Sequence, residues 1–249
     1  MTRPVPPDHR LDPATVLGAY AVGVFPMADA RDAESVYWVE PRRRAVLPLD
    51  GFHLSRTLRR TLAADRFRVT ADRAFPDMIR LCAEAAADRP DTWINGSIEQ
   101  VFLDLHAQGF AHSIECWDGV DGCWRLAGGL YGLALGRAFF GESMVSRATD
   151  ASKVALAWLV ARLRVGGFTL LDCQFQTAHL QSLGAVEIDR ADYLARLSAA
   201  LAGVVGPGAS ADAGAVGDFF ALDRPGAVST AVSGPLAGKD IAQLLVQTS

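Results

Sequence analysis

The sequence predicts an α+β protein: a small N-terminal domain, then a larger domain in which a mixed sheet is flanked by helices. Three observations carry this. Composition changes near residues 70 and 204 of the 249-residue chain. Between those points two helical patterns precede three strand patterns, an order unlike a βαβ repeat. The longest helical pattern then lies between the third strand and a fourth, which asks for a parallel crossover.

Each element has its own signal. Residues 1–70, rich in Pro and Arg with short apolar runs, make the N-terminal domain. Asp72 or Arg73 opens a helix with Phe75, Met78, Ile79 and Cys82 on one stripe, closing near Pro90. In "SIEQVFLDLHAQG" Ser97 and Gln100 have capping-box spacing, Ile98, Val101, Phe102 and Leu105 form the apolar face, and Gly109 ends the helix. "FAHSIECW" is a strand, "DGVDG" a turn, and "RLAGGLYGLALG" and "RAFFGESMVS" two more strands joined near Gly136. "TDASKVALAWLVARLRVGG" is the strongest helix, capped by Thr149 or Asp150 and ended by Gly166 and Gly167. "FTLLDCQF" follows as a strand, then "TAHLQSLGA" and "RADYLARLSAALAG" as helices. Residues 71–204 thus make the second domain. Residues 205–249 form an extension, a Gly/Ala/Ser linker leading to a short helix in "KDIAQLLVQTS". The order matches the fold of the acetyl-CoA-dependent N-acetyltransferases (a GNAT-like domain), and a fold match of that kind gives no function.

Composition excludes several classes. Half the residues are apolar and 21% are charged, as in a folded domain and unlike a disordered chain. No apolar run approaches 18 residues, and "MTRPVPPDHR" has no signal-peptide core, so a cytoplasmic protein with no membrane segment is expected. Cys82, Cys116, Cys123 and Cys173 have no CxxC spacing and are expected to be reduced thiols. No HExxH, EF-hand or His–carboxylate cluster calls for a metal, and no cofactor is expected. The net charge of −4 hides a local +6 between Arg42 and Arg68, where eight arginines meet two acids. Such a segment is either a polyanion-facing patch, with Arg42, Arg43, Arg44, Arg56, Arg59 and Arg60 toward phosphates, or surface charge without a partner.

The chemistry concentrates in "LLDCQF". Strand alternation places Leu170, Asp172 and Gln174 on one face and Leu171, Cys173 and Phe175 on the other. Cys173 is therefore expected in the core, lacking the accessible electropositive setting a nucleophilic thiol needs. Asp172 and Gln174 are either a loop-capping pair or a site whose amide oxygen, polarised by the carboxylate, orients an attacking amine. Ser143 lacks the G-x-S-x-G elbow, because position 145 is valine. Glu142 is either a structural carboxylate paired with Arg147 or a binding-site acid. Trp38 and Trp93 lie in polar, loop-like stretches, and Trp38 beside the arginine run suits stacking on a base. "RVGGFT" follows a helix and enters a strand, the reverse of an acetyl-CoA pyrophosphate turn.

Taken together, "YAVGVFPMAD", "YWVEPRRRAVL", "HLSRTLRR", "DTWINGSIEQVFLDLHAQGFAHSIECW", "GGLYGLALGRAFFGESMVSRATDASKVAL" and "LLDCQFQTAHLQSLGAVEI" resemble the bacterial leucyl/phenylalanyl-tRNA–protein transferases, in order from about Leu17 to Leu197. The resemblance implies transfer of Leu, Phe or Met from aminoacyl-tRNA (Leu-tRNA, Phe-tRNA) to proteins beginning with Arg or Lys, whose new N-terminus signals degradation. It implies a catalytic role for Asp172, Gln174 and Glu142, with Gln174 accepting a hydrogen bond from the attacking amine while Asp172 polarises it. It implies an aminoacyl pocket of Leu130, Phe139, Met144, Leu156, Leu159 and Leu171, and an adenosine site at Trp38, Trp93 and Phe102. Departures accompany it. Phe102 stands where a tyrosine is familiar, Leu159 and Leu163 where aromatics are, "CWDGVDGCW" is longer than the usual hairpin, and the region beyond 205 has no familiar counterpart. A non-catalytic tRNA-binding protein and a small-molecule N-acetyltransferase are the alternatives. The retained acid and amide residues oppose the first, and the missing pyrophosphate turn opposes the second.

Overall fold

A computed structural model describes residues 11–84, 92–120, 122–202, 216–224 and 236–246. The helix α1 (Pro13–Ala21) starts with Asp12 accepting the Thr15 N–H and Pro13 in the first turn, where its missing N–H costs nothing. A two-stranded ribbon follows, β1 (Phe25–Met27) antiparallel to β2 (Tyr37–Val39). The chain then gives β3 (Arg43–Val46), α2 (Arg56–Ala63), β4 (Arg68–Ala71), α3 (Phe75–Ala83) and α4 (Gly96–Ala107). The long antiparallel run is β5 (Ala111–Val120), β6 (Cys123–Leu135) and β7 (Ala138–Ser146). After it come α5 (Ala151–Val165), β8 (Leu170–Gln174), α6 (Ala178–Ser182), β9 (Val186–Asp189), α7 (Arg190–Leu201) and α8 (Gly238–Val246).

Seven strands form one mixed sheet in the order β4-β5-β6-β7-β8-β3-β9. The expected crossover is present: α5 carries the chain from β7 to β8, which pair in parallel. Two strands from the first 70 residues join this sheet. β4 lies at one edge, and β3 inserts between β8 and β9, antiparallel to both. Neither was legible as a strand, because "RRAV" and "RVTA" are four residues long and open on arginine.

Two apolar layers cover the sheet. On one side α5, α2 and α8 pack with Ile114, Leu130, Phe139 and Leu171. On the other, α1, α3, α4 and α7 pack with Tyr131, Leu133, Phe140 and Leu170. The α4 cap differs from expectation. Asn95, not Ser97, accepts the Ile98 N–H at 3.0 Å, and its amide also donates to Ala33 O at 2.8 Å, tying the helix to the N-terminal region. Asp150 caps α5 without a side-chain bond to a backbone N–H; its φ of 69° turns its carboxylate to Lys153 instead.

Candidate active site

The parallel pairing of β7 with β8 runs from Ala138↔Leu170 to Phe140↔Asp172 and stops, although β7 continues to Ser146. A cavity of about 270 Å³ opens where it stops. Leu130, Met144, Leu156, Leu159 and Leu171 make its apolar walls, Glu142, Ser143, Gln174, Thr177 and His179 supply polar groups, and Trp93 and Phe175 also line it. Two strands that diverge leave groups from each free to meet across the gap. Here Gln174 Nε2 donates to Glu142 Oε1 at 2.8 Å. The amide oxygen, on the other arm of the same plane, is left to the cavity that Gln174 lines.

Gln174 reaches that position by breaking strand alternation. Its φ is 60°, in the left-handed region a non-glycine residue enters only when its surroundings enforce it. The enforcing group is Asp172, whose Oδ1 accepts the Gln174 N–H at 2.8 Å in a two-residue side-chain turn. Asp172 is fully buried and otherwise engaged. Arg44 donates to it through Nε at 2.9 and 3.0 Å and through an Nη at 2.7 Å, and the Tyr193 hydroxyl donates at 2.7 Å. Arg44 in turn gives a bond to Gly23 O and lies between the rings of Phe25 and Tyr193, 4.6 and 4.7 Å from their centroids. This corrects the alternation argument in two ways. Asp172 sits on the opposite face of β8 from Cys173, as expected, but Gln174 does not share that face: it lines the cavity with Cys173 and Leu171. The carboxylate bonded to the amide is Glu142, and Asp172 acts on the backbone.

Arg44 is a second correction. It is 1% exposed, so it is not available to a phosphate. Alternation along β3 sends Arg43 outward and Arg44 inward, and a buried guanidinium is tolerable only with a carboxylate and further acceptors, which Asp172 and Gly23 provide. Arg43 is exposed but paired with Glu187 at 2.6 Å and Asp189 at 3.1 Å across the β3–β9 edge. Arg42, Arg56, Arg59 and Arg60 are exposed. The last three share one face of α2, opposite the buried Leu58 and Leu62.

The predicted pocket residues divide. Leu130, Met144, Leu156, Leu159 and Leu171 line the cavity. Phe139 does not: it is buried behind the wall, its ring against Phe168 and Phe219. Phe102, also fully buried, packs its ring edge-on to Tyr131 and is not at the cavity. Each lies on the inward face of its element, where core packing takes it. Trp93 lines the cavity, and Trp38 is half-buried in β2 opposite Pro26, outside the lining. Arg147 pairs with Glu84 at 3.0 Å and not with Glu142.

Glu142 is the acid with the altered titration. Burial, more than any other influence, pushes its carboxyl up to about 8, and the charge of Asp172 adds to this against hydrogen bonding from Tyr20 and Gln174. The Tyr20 hydroxyl couples to Glu142. By strict geometry, however, Tyr20 Oη and Glu142 Oε2 are both buried without a partner. Burial likewise raises the Cys173 thiol and favours its neutral form, and the residue is half-buried at the cavity wall rather than in the core as expected. His179 is lowered by burial and by Lys153, which keeps its imidazole neutral.

The Glu142 shift has a measurable sign. A carboxyl raised from its ordinary 4.5 to about 8 holds a proton in the folded chain that the unfolded chain releases. Its stabilising contribution is complete below the ordinary pKa and is lost as pH rises through the folded value. The melting temperature of the native chain relative to Glu142→Gln is therefore expected to fall between about pH 5 and about pH 9. A difference that stays constant across that window would place the Glu142 carboxyl in the ordinary carboxylate range.

Sequence reasoning missed Tyr20, Arg44 and Tyr193 as the supports of this site. Their signal was present only as polar residues inside apolar stretches, "GAYAVG", "RRRAV" and "ADYLARL". It also missed Phe175, which is 46% exposed and lines the cavity immediately after Gln174.

Comparison with known proteins decides what this arrangement belongs to. Residues 46–198 match the family Leucyl/phenylalanyl-tRNA protein transferase, and residues 9–42 match the N-terminal domain of the same family. The chain belongs to this family. Relatives carrying the name leucyl/phenylalanyl-tRNA–protein transferase include one from Rhizorhabdus wittichii, 59% identical over 96% of this chain and 99% of the relative. One from Phenylobacterium zucineum is 50% identical over 96% and 98%, and one from Zymomonas mobilis is 60% identical over 78% and 70%. The two matched segments meet near residue 44, where the N-terminal ribbon gives way to β3. A leucyl/phenylalanyl-tRNA–protein transferase is an aminoacyltransferase, and its donor ester is already activated. Among the described residues no group of acids, histidines and cysteines is arranged to hold a metal, and no helix is long and apolar enough to cross a membrane.

Proposed function

We propose that this chain moves a leucyl, phenylalanyl or methionyl group from its tRNA to the α-amine of a cytoplasmic protein beginning with Arg or Lys, marking that protein for degradation. The observation that carries the reading is the Gln174 amide, locked by Glu142 through its Nε2 at the opening of an apolar cavity. The cavity takes the aminoacyl side chain. Its walls discriminate against polar side chains strongly but between apolar ones by only about 1–3 kcal/mol per methylene. Gln174 Oε1 accepts a hydrogen bond from the incoming neutral amine and aims its lone pair at the ester carbonyl. A C–N bond forms, the ester C–O bond breaks, and the terminal ribose hydroxyl leaves with the proton the amine gives up. Orientation of two reactants supplies most of the rate in such a step. Asp172, through the Gln174 N–H, and Arg44 and Tyr193, through Asp172, are positioning residues. Trp93 and Trp38 serve the terminal adenosine, and Arg56, Arg59 and Arg60 meet acceptor-stem phosphates without reading bases.

The test is direct. Radiolabelled Leu-tRNA is offered with one peptide beginning with Arg and one beginning with Glu, and labelled acetyl-CoA is offered in parallel. Label is expected on the Arg peptide from Leu-tRNA alone. Acetyl transfer without leucyl transfer would overturn the reading, and equal labelling of both peptides would overturn the Arg/Lys preference. Arg59→Glu is expected to raise the KM for Leu-tRNA and to flatten its dependence on salt, because one phosphate contact is lost. An unchanged KM would place the phosphate-binding surface elsewhere.

A further inference from the structure

The described parts of the C-terminal region, 216–224 and 236–246, are built into the fold at specific points. Gly217 N–H donates to Gly136 O at 2.8 Å and Asp218 N–H to Gly166 O at 2.9 Å. Arg162 of α5, buried, donates to both oxygens of Asp223 at 2.6 and 2.9 Å and to Phe219 O at 2.9 Å. Phe219 stacks on His112 at 4.1 Å and on Phe139 at 5.8 Å. The chain then returns as α8, whose Ile241, Ala242 and Leu245 enter the same core as Leu58 and Leu62 of α2.

The contact between α8 and α2 is close. Gly238 N–H donates to Asp65 Oδ1 at 2.6 Å, just beyond the end of α2. A Cβ on Gly238 would stand 2.1 Å from Leu62 O, so the backbones meet at a distance only glycine allows. Arg164 of α5 donates to Leu244 O of α8 at 3.1 Å and to Leu49 O at 2.6 Å, which fixes α8 and the approach to α2 from one side chain. At eight residues α2 is too short to hold its own helix in water, so its orientation comes from what packs on Leu58 and Leu62. The opposite face carries Arg56, Arg59 and Arg60. No residue of α2 or α8 lines the cavity.

We infer that α8 is a positioning element for the body of the donor tRNA: it sets the direction in which the α2 arginines point and does not act on the transfer step. This rests on the proposed reading of the α2 arginines as phosphate contacts. Its consequence separates a long donor from a short one. Loosening the α8–α2 contact affects the tRNA body and leaves a donor that fills only the cavity untouched.

The experiment compares Leu-tRNA with the leucyl ester of adenosine as donors for the native chain and for Gly238→Ala, Asp65→Ala and Asp65→Asn. The asparagine keeps an acceptor at the same position and serves as the conservative rescue. Gly238→Ala and Asp65→Ala are expected to raise the KM for Leu-tRNA about fivefold or more, with weaker salt dependence. Their kcat, and their KM for the adenosine ester, are expected to match the native protein, and Asp65→Asn is expected to behave as native with both donors. Loss of the same size with both donors, or no change with Leu-tRNA, overturns the inference. Arg59→Glu measured beside them distinguishes the two levels. If it leaves the KM for Leu-tRNA unchanged, the reading of the α2 patch fails and the inference with it. If it raises that KM while the α8 contacts do not matter, the inference alone fails.

Discussion

Gln174→Ala is expected to reduce kcat for leucyl transfer by about 10²–10⁴-fold with the KM for Leu-tRNA close to native. The reasoning is local. The side chain makes its one described hydrogen bond to Glu142, its backbone is held by Asp172, and neither bond involves the surface assigned to the tRNA. Truncation removes the acceptor proposed for the amine and leaves the apolar walls in place. Gln174→Glu sharpens the test. It keeps an oxygen in position but replaces the Nε2 donor with a second carboxyl that must share a proton with Glu142, so the fixed donor–acceptor order of the native amide is lost and the rate is expected to fall by a comparable factor. A native rate in either variant would remove Gln174 from the mechanism. A loss confined to the KM for Leu-tRNA would assign it to donor binding.

Arg44→Met is expected to destabilise the fold by about 3–5 kcal/mol, the cost of leaving Asp172 charged and buried without its partner. For a chain of this size that corresponds to a fall in Tm of roughly 6–20 °C. The pair is formed at 2.7 Å with side chains 1% and 0% exposed, so solvent screening does not reduce the effect. The double variant Arg44→Met, Asp172→Leu removes both charges and is expected to recover most of the lost stability. It is not expected to recover turnover, because the Gln174 N–H then has no acceptor and the left-handed turn loses its support. Recovery of both would show that Asp172 matters only for folding. Recovery of neither would show that the buried pair is not the dominant cost.

Much of the architecture was legible in the sequence. The helical stripe through Phe75 and Met78, the three hairpin strands and the α5 crossover all appear as expected, because each is long enough for its periodicity to exceed local noise. β3, β4 and β9 were not legible. Strands of four residues make too few alternations to be seen, and β3 and β4 carry arginines where alternation is read. The contacts among the candidate site residues were not legible. Asp172, Gln174 and Glu142 were named as candidates, with Asp172 expected to polarise the amide; in the structure Glu142 bonds the amide and Asp172 bonds the backbone N–H. Strand alternation assumes extended backbone at every residue, and Gln174 is not extended. No pattern of side chains announces a left-handed glutamine.

The sequence by itself determined the family and the α+β class and singled out the acid and amide candidates, because those are properties of residue type and spacing along the chain. The tertiary structure decided which of them touch. It turned Gln174 toward Glu142, withdrew Arg44 from the basic patch to neutralise Asp172, and placed the C-terminal helix against α2. Each of these joins residues more than 30 positions apart, where a buried charge or an unpaired amide finds its partner only after the strands have come together.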